Sequence, residues 1–420
     1  MKICLIVDDY MPHSIKVAAK MMHELAQEYV KQGHSISVII PDYTLKNKMK
    51  ISALDGVNVV NFKSGKIKNV SKVKRAINET LLSYNAWVGC KQYFYENPHD
   101  IIVYYSPSIF FGPLVRQLKK LWGVQSYLIL RDIFPQWAID NTILKENSLI
   151  TKYFKYFEKM NYDNADVIGL MSDKNLQWFK QYYKTDKKLE VLYNWADVQK
   201  VESKTFKYKK ELKLEDKIVF FYGGNMGHAQ DMMNIVRLAI GLQKYNKAHF
   251  VLIGSGDEVE LISEKINKNN LTNITLLSAV NQNEFKHMLF EFDVGLFTLN
   301  KNHITHNFPG KLLGYMVQSM PILGSINPGN DLKNIIDEYE AGYISVNGED
   351  NLFLENAVKL LDESERIRVG NNANKLLYSK FSVESATIQI LNQKRKQINE
   401  RNNPSRGKWN KTLPHNKRYK

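Results

Sequence analysis

The chain has 420 residues, 44% of them hydrophobic and 24% charged, with a formal net charge of +15. That length buries sizeable cores and divides most simply into two domains of ordinary globular composition. No apolar run approaches the roughly 18 residues that cross a bilayer, which excludes a transmembrane helix.

Taken in chain order, residues 2–7 read as a buried first strand that meets Asp8 too soon for a signal peptide. A helix follows with Val17, Ala18, Met21, Met22, Leu25 and Tyr29 on one side, and Gly33-His34 ends it. Further strands are expected at 35–40, 57–62, 101–105, 127–130, 167–171 and 190–192, most of them short continuous apolar runs suited to a parallel sheet. The pattern lapses through a lysine-rich connector, 196–214. It resumes at 218–222, 250–253, 274–277, 294–297, 322–323 and 343–346, with helices between. Two successive β/α series predict two doubly wound domains facing a cleft, 1–194 and 195–392. Residues 393–420 form a basic tail, expected to be disordered. From 394 onward it holds ten Lys or Arg against the single Glu400, so the rest of the chain carries only about +6. No recognisable module supports nucleic-acid binding, so no nucleic-acid partner is expected. Cys4 and Cys90 have no C-x-x-C or His partner, which fits a reduced cytoplasmic protein without structural metal.

In such sheets ligands lie at the carboxyl ends of strands. After 218–222 stands Gly223-Gly224-Asn225-Met226-Gly227, and then a helix with Met232, Ile235, Val236 and Ala239 at helical spacing. Strand, glycine turn and helix can present main-chain N–H groups to a phosphate; an ordinary tight turn is the alternative. Gly254-Ser255-Gly256-Asp257 repeats the arrangement one strand away and strengthens the nucleotide reading. Pro309-Gly310 precedes a helix whose first turn carries Lys311. A cation there opposes the helix dipole unless an anion such as a diphosphate compensates; a solvent-facing lysine is the alternative. In the first half, Arg131-Asp132 follows the strand at 127–130. Asp132 is placed to receive or orient a sugar hydroxyl proton, with Arg131 holding its charge, unless the two form a structural pair. Asp8, Asp9, His13 and Ser14 follow the first strand and face the cleft or cap the turn. Signatures of serine hydrolases, zinc proteases and P-loop ATPases are absent, as is a D-x-D for Mg²⁺ or Mn²⁺.

These features in this order resemble the GT-B glycosyltransferases of retaining family 4, in their surface-polysaccharide branch. The residues that carry the resemblance are Gly33-His34-Ser35-Ile36-Ser37-Val38, Arg131-Asp132-Ile133-Phe134-Pro135, Tyr222-Gly223-Gly224-Asn225-Met226-Gly227, Ile253-Gly254-Ser255-Gly256 and Pro309-Gly310-Lys311 with Tyr315-Met316. It covers roughly residues 2–392. The opening segment from Asp8 to Ala26 is similar to N-acetyl-L-fucosamine transferases of O-antigen and capsule synthesis.

The resemblance implies two Rossmann-like domains and a UDP-sugar donor held mainly by the second. The acceptor it implies is a polyprenyl-diphosphate-linked saccharide, met by the first domain at the inner face of the plasma membrane. It implies retention of configuration with no metal and no other cofactor. Carried over by position, Gly223, Gly224, Asn225, Gly227, Gly254, Gly256, Pro309 and Lys311 bind the donor. Asp132, Arg131 and Lys311 are the catalytic candidates, and Asp9, His13 and Ser14 lie on the acceptor side.

Two departures stand out. His228, Ala229 and Gln230 replace the Arg and Lys that relatives carry after the glycine pair, and Gly314 replaces a ribose-binding Glu. A UDP-sugar 2-epimerase and a non-catalytic nucleotide-sugar-binding subunit are the alternatives. UDP binding without transfer would mark the subunit. Peripheral attachment to an anionic membrane surface is expected through 63–75, 113–122 and 152–159, where cations alternate with apolar residues, and through the tail; each of the three is otherwise a helix packed on its sheet.

Overall fold

The structure is a computed structural model that describes residues 1–12, 14, 16–67, 70–140, 142–200, 207–302 and 308–402. The first domain contains β1 (Lys2–Ile6), α1 (Val17–Lys31), β2 (Ser35–Asp42), β3 (Met49–Leu54), β4 (Val57–Lys63), α2 (Lys72–Thr80), α3 (Leu82–Glu96) and β5 (Ile101–Ser106). It continues with α4 (Gly112–Trp122), β6 (Gln125–Leu130), α5 (Gln136–Asp140), α6 (Leu149–Asp163), β7 (Val167–Leu170), α7 (Asp173–Tyr183) and β8 (Lys188–Val191). The second domain contains α8 (Lys207–Glu211), β9 (Ile218–Asn225), α9 (Met232–Leu242), β10 (Ala248–Ser255), α10 (Val259–Lys268), β11 (Ile274–Ser278), α11 (Gln282–Glu291) and β12 (Val294–Thr298). After it come α12 (Lys311–Val317), β13 (Ile322–Ile326), α13 (Leu332–Glu338), β14 (Gly342–Val346), α14 (Asp350–Lys359), α15 (Glu363–Leu376) and α16 (Val383–Asn402).

The strand orders are β3-β4-β2-β1-β5-β6-β7-β8 and β11-β10-β9-β12-β13-β14. Every pairing is parallel except β3 with β4. Each expected strand is present, because a parallel strand buried on both faces must be a continuous apolar run, as in the fully buried β5. The order in which strands are added changes side between β1 and β5, and between β9 and β12. Those switch points are where open α/β sheets leave a crevice. The first sheet lies between two buried clusters, one around Leu5, Val38 and Val103, the other around Ile6, Tyr104 and Leu128. The second is covered likewise by the clusters of Phe221 and Phe297 and of Phe220 and Leu252.

Three features differ from expectation. The edge strand β3 pairs with β4 through Asp55-Gly56, both at positive φ (51° and 79°), a hairpin turn flanked by an exposed strand. Helix α16 does not close the second domain at residue 392. Val383, Ala386, Ile390 and Leu391 enter the first domain's core, Gln32 donates to the Thr387 hydroxyl at 2.7 Å, and the helix runs to Asn402. Ten residues that read as tail are therefore helical, and residues 403–420 lie outside those described. The segment 113–122 is α4, whose Leu114, Val115 and Leu118 are buried, with Leu121 and Trp122 packed beside them. It offers no apolar face to a membrane.

Candidate active site

At the second switch point β9 pairs with β12 only through Phe220 and Phe221, while β10 stays paired with it through Asn225. One side of β9 therefore opens at Tyr222, Gly223 and Gly224. Lys311, the first residue of α12, leans into that opening. Its ammonium stands 3.4 Å from the centroid of the Tyr222 ring, and a Cβ added at Gly224 would lie 3.7 Å from it. Burial pushes the Lys311 pKa down to about 7. Among the described residues no carboxylate or carbonyl pairs with it. A half-buried cation whose one partner among the described residues is a ring is able to receive an anion.

The glycines divide by what their missing side chains leave room for. At Gly223 a Cβ would strike the Phe285 ring at 2.2 Å, at Gly254 the Gly224 carbonyl oxygen at 1.8 Å, and at Gly256 the Met226 carbonyl oxygen at 2.3 Å. These three let the chain pack on itself. At Gly227 a Cβ would meet the Asn225 amide nitrogen at 3.1 Å, and both the Asn225 amide and the Gly227 N–H donate to the Gln230 side-chain oxygen. Of the five, only Gly224, at φ 127°, has the Lys311 ammonium facing its open side. Its backbone angle also bars an ordinary side chain.

The helix N-terminus expected to meet a phosphate is taken. Helix α9 starts at Met232, whose N–H donates to the Glu258 carboxylate at 3.1 Å; the same carboxylate pairs with His228 at 3.1 Å. A phosphate there would face a buried carboxylate, so this helix end is not an anion site. Pro309 lies instead in a small apolar seam with Asn194, Phe308, Leu332 and Phe381, where Tyr193 stacks on Phe308 at 5.5 Å. At Gly314 a Cβ would meet Leu289 at 2.9 Å, so a carboxylate at this position needs a neighbour other than this leucine.

On the first domain, Arg131 and Asp132 separate. Arg131 donates to the Asn194 side chain at 2.7 Å and to the carbonyls of Leu130, Gly169 and Tyr193 at 3.2–3.3 Å, and it lies over the Trp195 ring. Burial lowers its pKa to about 10. Arg131 thus ties the ends of β6 and β7 to the segment Tyr193–Asn194, and no bond among the described residues joins it to Asp132. Asp132 instead accepts the Trp137 indole N–H, and burial raises its pKa. Asp132 and Asp8 both bear electrostatically on the buried Tyr105 at the end of β5, which places the two carboxylates around one crevice.

Asp9 accepts the Ser14 hydroxyl at 2.8 Å and lies 3.8 Å from Lys16, so the acceptor-side pair is engaged in shaping its own loop. His13 lies outside the described residues. Asp8, Asp9, Pro12, Tyr43 and Asn61 line a cavity of about 680 Å³, and the buried Asn61 side-chain oxygen has no hydrogen-bond partner among the described residues. Behind it, Tyr10 bonds to His23 at 2.8 Å, and His23 to Asp55 at 3.0 Å. Sequence reasoning missed Tyr222 as the ring beneath Lys311, Glu258 as the cap of α9, and Trp137 as the partner of Asp132. Only the last had a signal, an aromatic donor five residues past Asp132.

No hydrogen bond or ion pair among the described residues joins Asp132 to Lys311. Asp132 follows β6 of the first domain and Lys311 opens α12 of the second. Between the domains Asp331 accepts the Lys174 N–H at 2.9 Å, capping α7 from the other domain.

Against known proteins, residues 203–376 match the family described as "Glycosyl transferases group 1". A curated relative, the "Probable glycosyltransferase WbjE" of Pseudomonas aeruginosa, is 25% identical over 54% of this chain and 57% of its own length. An uncharacterized glycosyltransferase of Methanocaldococcus jannaschii is 23% identical over 56% of this chain and 60% of its own. The chain therefore spans less than two thirds of either relative. Among solved structures, sucrose-phosphate synthase of Thermosynechococcus elongatus superposes with a TM-score of 0.65 at 13% identity, covering 95% of this chain and 99% of its own. Anabaena HepE, solved with UDP, gives 0.63 at 14% identity over 94% and 100%. These likenesses establish the GT-B fold, and residues 203–376, less than half of the chain, are similar to the group 1 glycosyltransferase family.

Proposed function

We propose that the chain is a retaining glycosyltransferase of family 4 that moves a sugar from a UDP-sugar to a saccharide carried on a polyprenyl diphosphate. The observation that carries the reading is Lys311, a desolvated ammonium without an anionic partner among the described residues, set beside Gly224 at the open end of β9. HepE, of the same fold, is described in complexes with UDP and with UDP-glucose. In this reading the bond between the sugar and the β-phosphate breaks, UDP departs toward Lys311, and the acceptor oxygen attacks from the same face. Asp132, across the cleft, orients the acceptor hydroxyl and takes its proton as the new glycosidic bond forms. Lys311 meets charge as it develops on the leaving diphosphate.

No group of three or more His, Cys, Asp or Glu side chains suited to a metal occurs among the described residues. Transfer is proposed to be metal-independent. N-acetyl-L-fucosamine in an O-antigen or capsule pathway is the proposed sugar, and the inner face of the plasma membrane the proposed place of work. The test is a screen of UDP-sugars for protection against thermal unfolding, followed by transfer of labelled sugar to lipid-linked acceptors with and without chelator. UDP binding with no transfer to any acceptor would favour a non-catalytic subunit, and interconversion of free UDP-sugars a 2-epimerase.

A further inference from the structure

The first domain exposes a face that its fold has no use for. The C-terminal end of α2 meets α6, where the Thr80 hydroxyl bonds to the Tyr153 hydroxyl. From α2, Val73 and Ile77 are 72% and 55% exposed; from the first turn of α6, Leu149 and Ile150 are 85% and 51% exposed. Residues 73 and 77 share one helical face, as do 149, 153 and 156, and Tyr153 and Tyr156 add exposed rings to the second stripe. Aliphatic side chains this exposed are ordinary singly, but a contiguous set marks an interaction surface.

The charges around it have one sign in excess. Lys74 on α2 and Lys152 on α6 are exposed and have no acidic partner among the described residues. The nearby acids Glu79 and Asp163 are already paired, with Arg75 at 2.9 Å and Lys159 at 2.8 Å. Helices that present leucine, isoleucine and tyrosine toward a common side, bordered by unpaired lysines, match the headgroup boundary of an anionic bilayer. Aliphatic tips enter the acyl region, tyrosines sit at the interface and ammonium groups meet lipid phosphates.

The face also leads to the candidate active site. Tyr153 packs edge-on against Phe154 at 5.4 Å, Phe154 against Phe134 at 4.8 Å, and Phe134 against Trp137 at 6.0 Å. The Trp137 indole N–H is the donor to Asp132. An unbroken aromatic path therefore runs from the exposed helices to the carboxylate proposed to receive the acceptor.

We infer that the α2–α6 face is the docking surface for an anionic lipid bilayer, and that it sets Asp132 at the membrane so that the headgroup of a lipid-borne acceptor reaches it. The inference rests on the lipid-linked acceptor reading above. It selects this face over α4, whose apolar side is buried, and over the basic residues beyond 402.

The test is co-sedimentation of the full chain with phosphatidylcholine vesicles, with and without phosphatidylglycerol, at low and high salt. Two variants are compared: Leu149→Glu with Ile150→Glu, and Lys74→Glu with Lys152→Glu. All four positions are exposed, so folding is retained, and the rise in melting temperature with UDP checks it. The wild type binds only the anionic vesicles, less as salt rises. Either variant lowers its partition coefficient by about tenfold or more, on the scale of roughly fivefold for each surface cation lost, while the UDP-dependent rise stays unchanged. Wild-type protein that ignores anionic vesicles, or binds neutral ones equally, overturns the inference. So do variants that bind like wild type, since attachment would then lie in the tail or elsewhere. A wild type that docks but shows no response to UDP would overturn the transferase reading and leave the docking face standing.

Discussion

The Lys311 ammonium stands 3.4 Å from the centroid of the Tyr222 ring, with Gly224 open beside it. This contact couples the end of a β-strand to the start of a helix almost ninety residues later. The ring stabilises a cation in a half-buried position without neutralising it, so the charge stays available to a ligand. Lys311→Ala should weaken UDP binding by about 1.5–3 kcal/mol, the range for a charge-assisted hydrogen bond, and lower turnover further. Titration calorimetry with UDP and with uridine checks the cause. Uridine, without phosphates, should lose far less, and equal losses would mean a damaged pocket.

The lowered pKa of Lys311 predicts proton uptake on binding. In the free protein its value is about 7 against the ordinary 10.5, because burial disfavours the charged form. A diphosphate favours the charged form and raises the value again. UDP affinity should therefore fall as pH rises through about 7, and above that pH binding should take up a proton. Heats measured in two buffers of different ionisation enthalpy reveal it. The sign for stability is opposite to that of a paired lysine. The unfolded chain keeps this proton up to about 10.5, so this group makes the fold more stable as pH rises from about 7 to 10.5. Lys311→Met should remove that part of the pH dependence.

Asp132→Asn should leave UDP affinity unchanged and cut transfer by at least about 10²-fold, as for a group that acts in the transition state. Burial raises the Asp132 pKa. The acid limb of the transfer rate, where the carboxylate must be ionised, should accordingly lie above the usual range for aspartate in wild type and vanish in Asp132→Asn. Full turnover by the folded variant would make Asp132 structural.

Arg131→Ala should act on stability. It strips partners from the carbonyls of Leu130, Gly169 and Tyr193 and from the Asn194 side chain, a loss of about 3 kcal/mol or more for buried groups left unpaired. Arg131→Lys should recover little, because an ammonium cannot span four acceptors placed around a planar guanidinium. Chemical denaturation midpoints check both. A variant of native stability with lost transfer would favour a catalytic role for Arg131.

Much of the fold was legible because its signals are local. A parallel strand buried on both faces announces itself as an apolar run, and Gly33 and Gly123, both at positive φ, close their helices as glycines do. The strand β3 was missed because an edge strand with Ile51 exposed carries no such run; Asp55-Gly56 was its only signal. In the site, the position of Lys311 on its helix was legible from Pro309-Gly310. That Gly254 and Gly256 serve packing was not, since their neighbours, Gly224 and Met226, come from another strand and turn.

By itself the sequence determined two alternating β/α series, the glycine turns at their strand ends and a lysine opening a helix, because each depends on residues within a few positions of one another. Long-range packing alone set which glycine faces the Lys311 ammonium, that Glu258 fills the end of α9, that Arg131 braces three segments, and that α16 returns to the first domain. These are outcomes of pairings between residues far apart in the chain, where a carboxylate or guanidinium looks the same in sequence whether it meets substrate or a buried N–H or carbonyl. Which of these it meets is fixed only when the two strand ends and the helices above them are packed together.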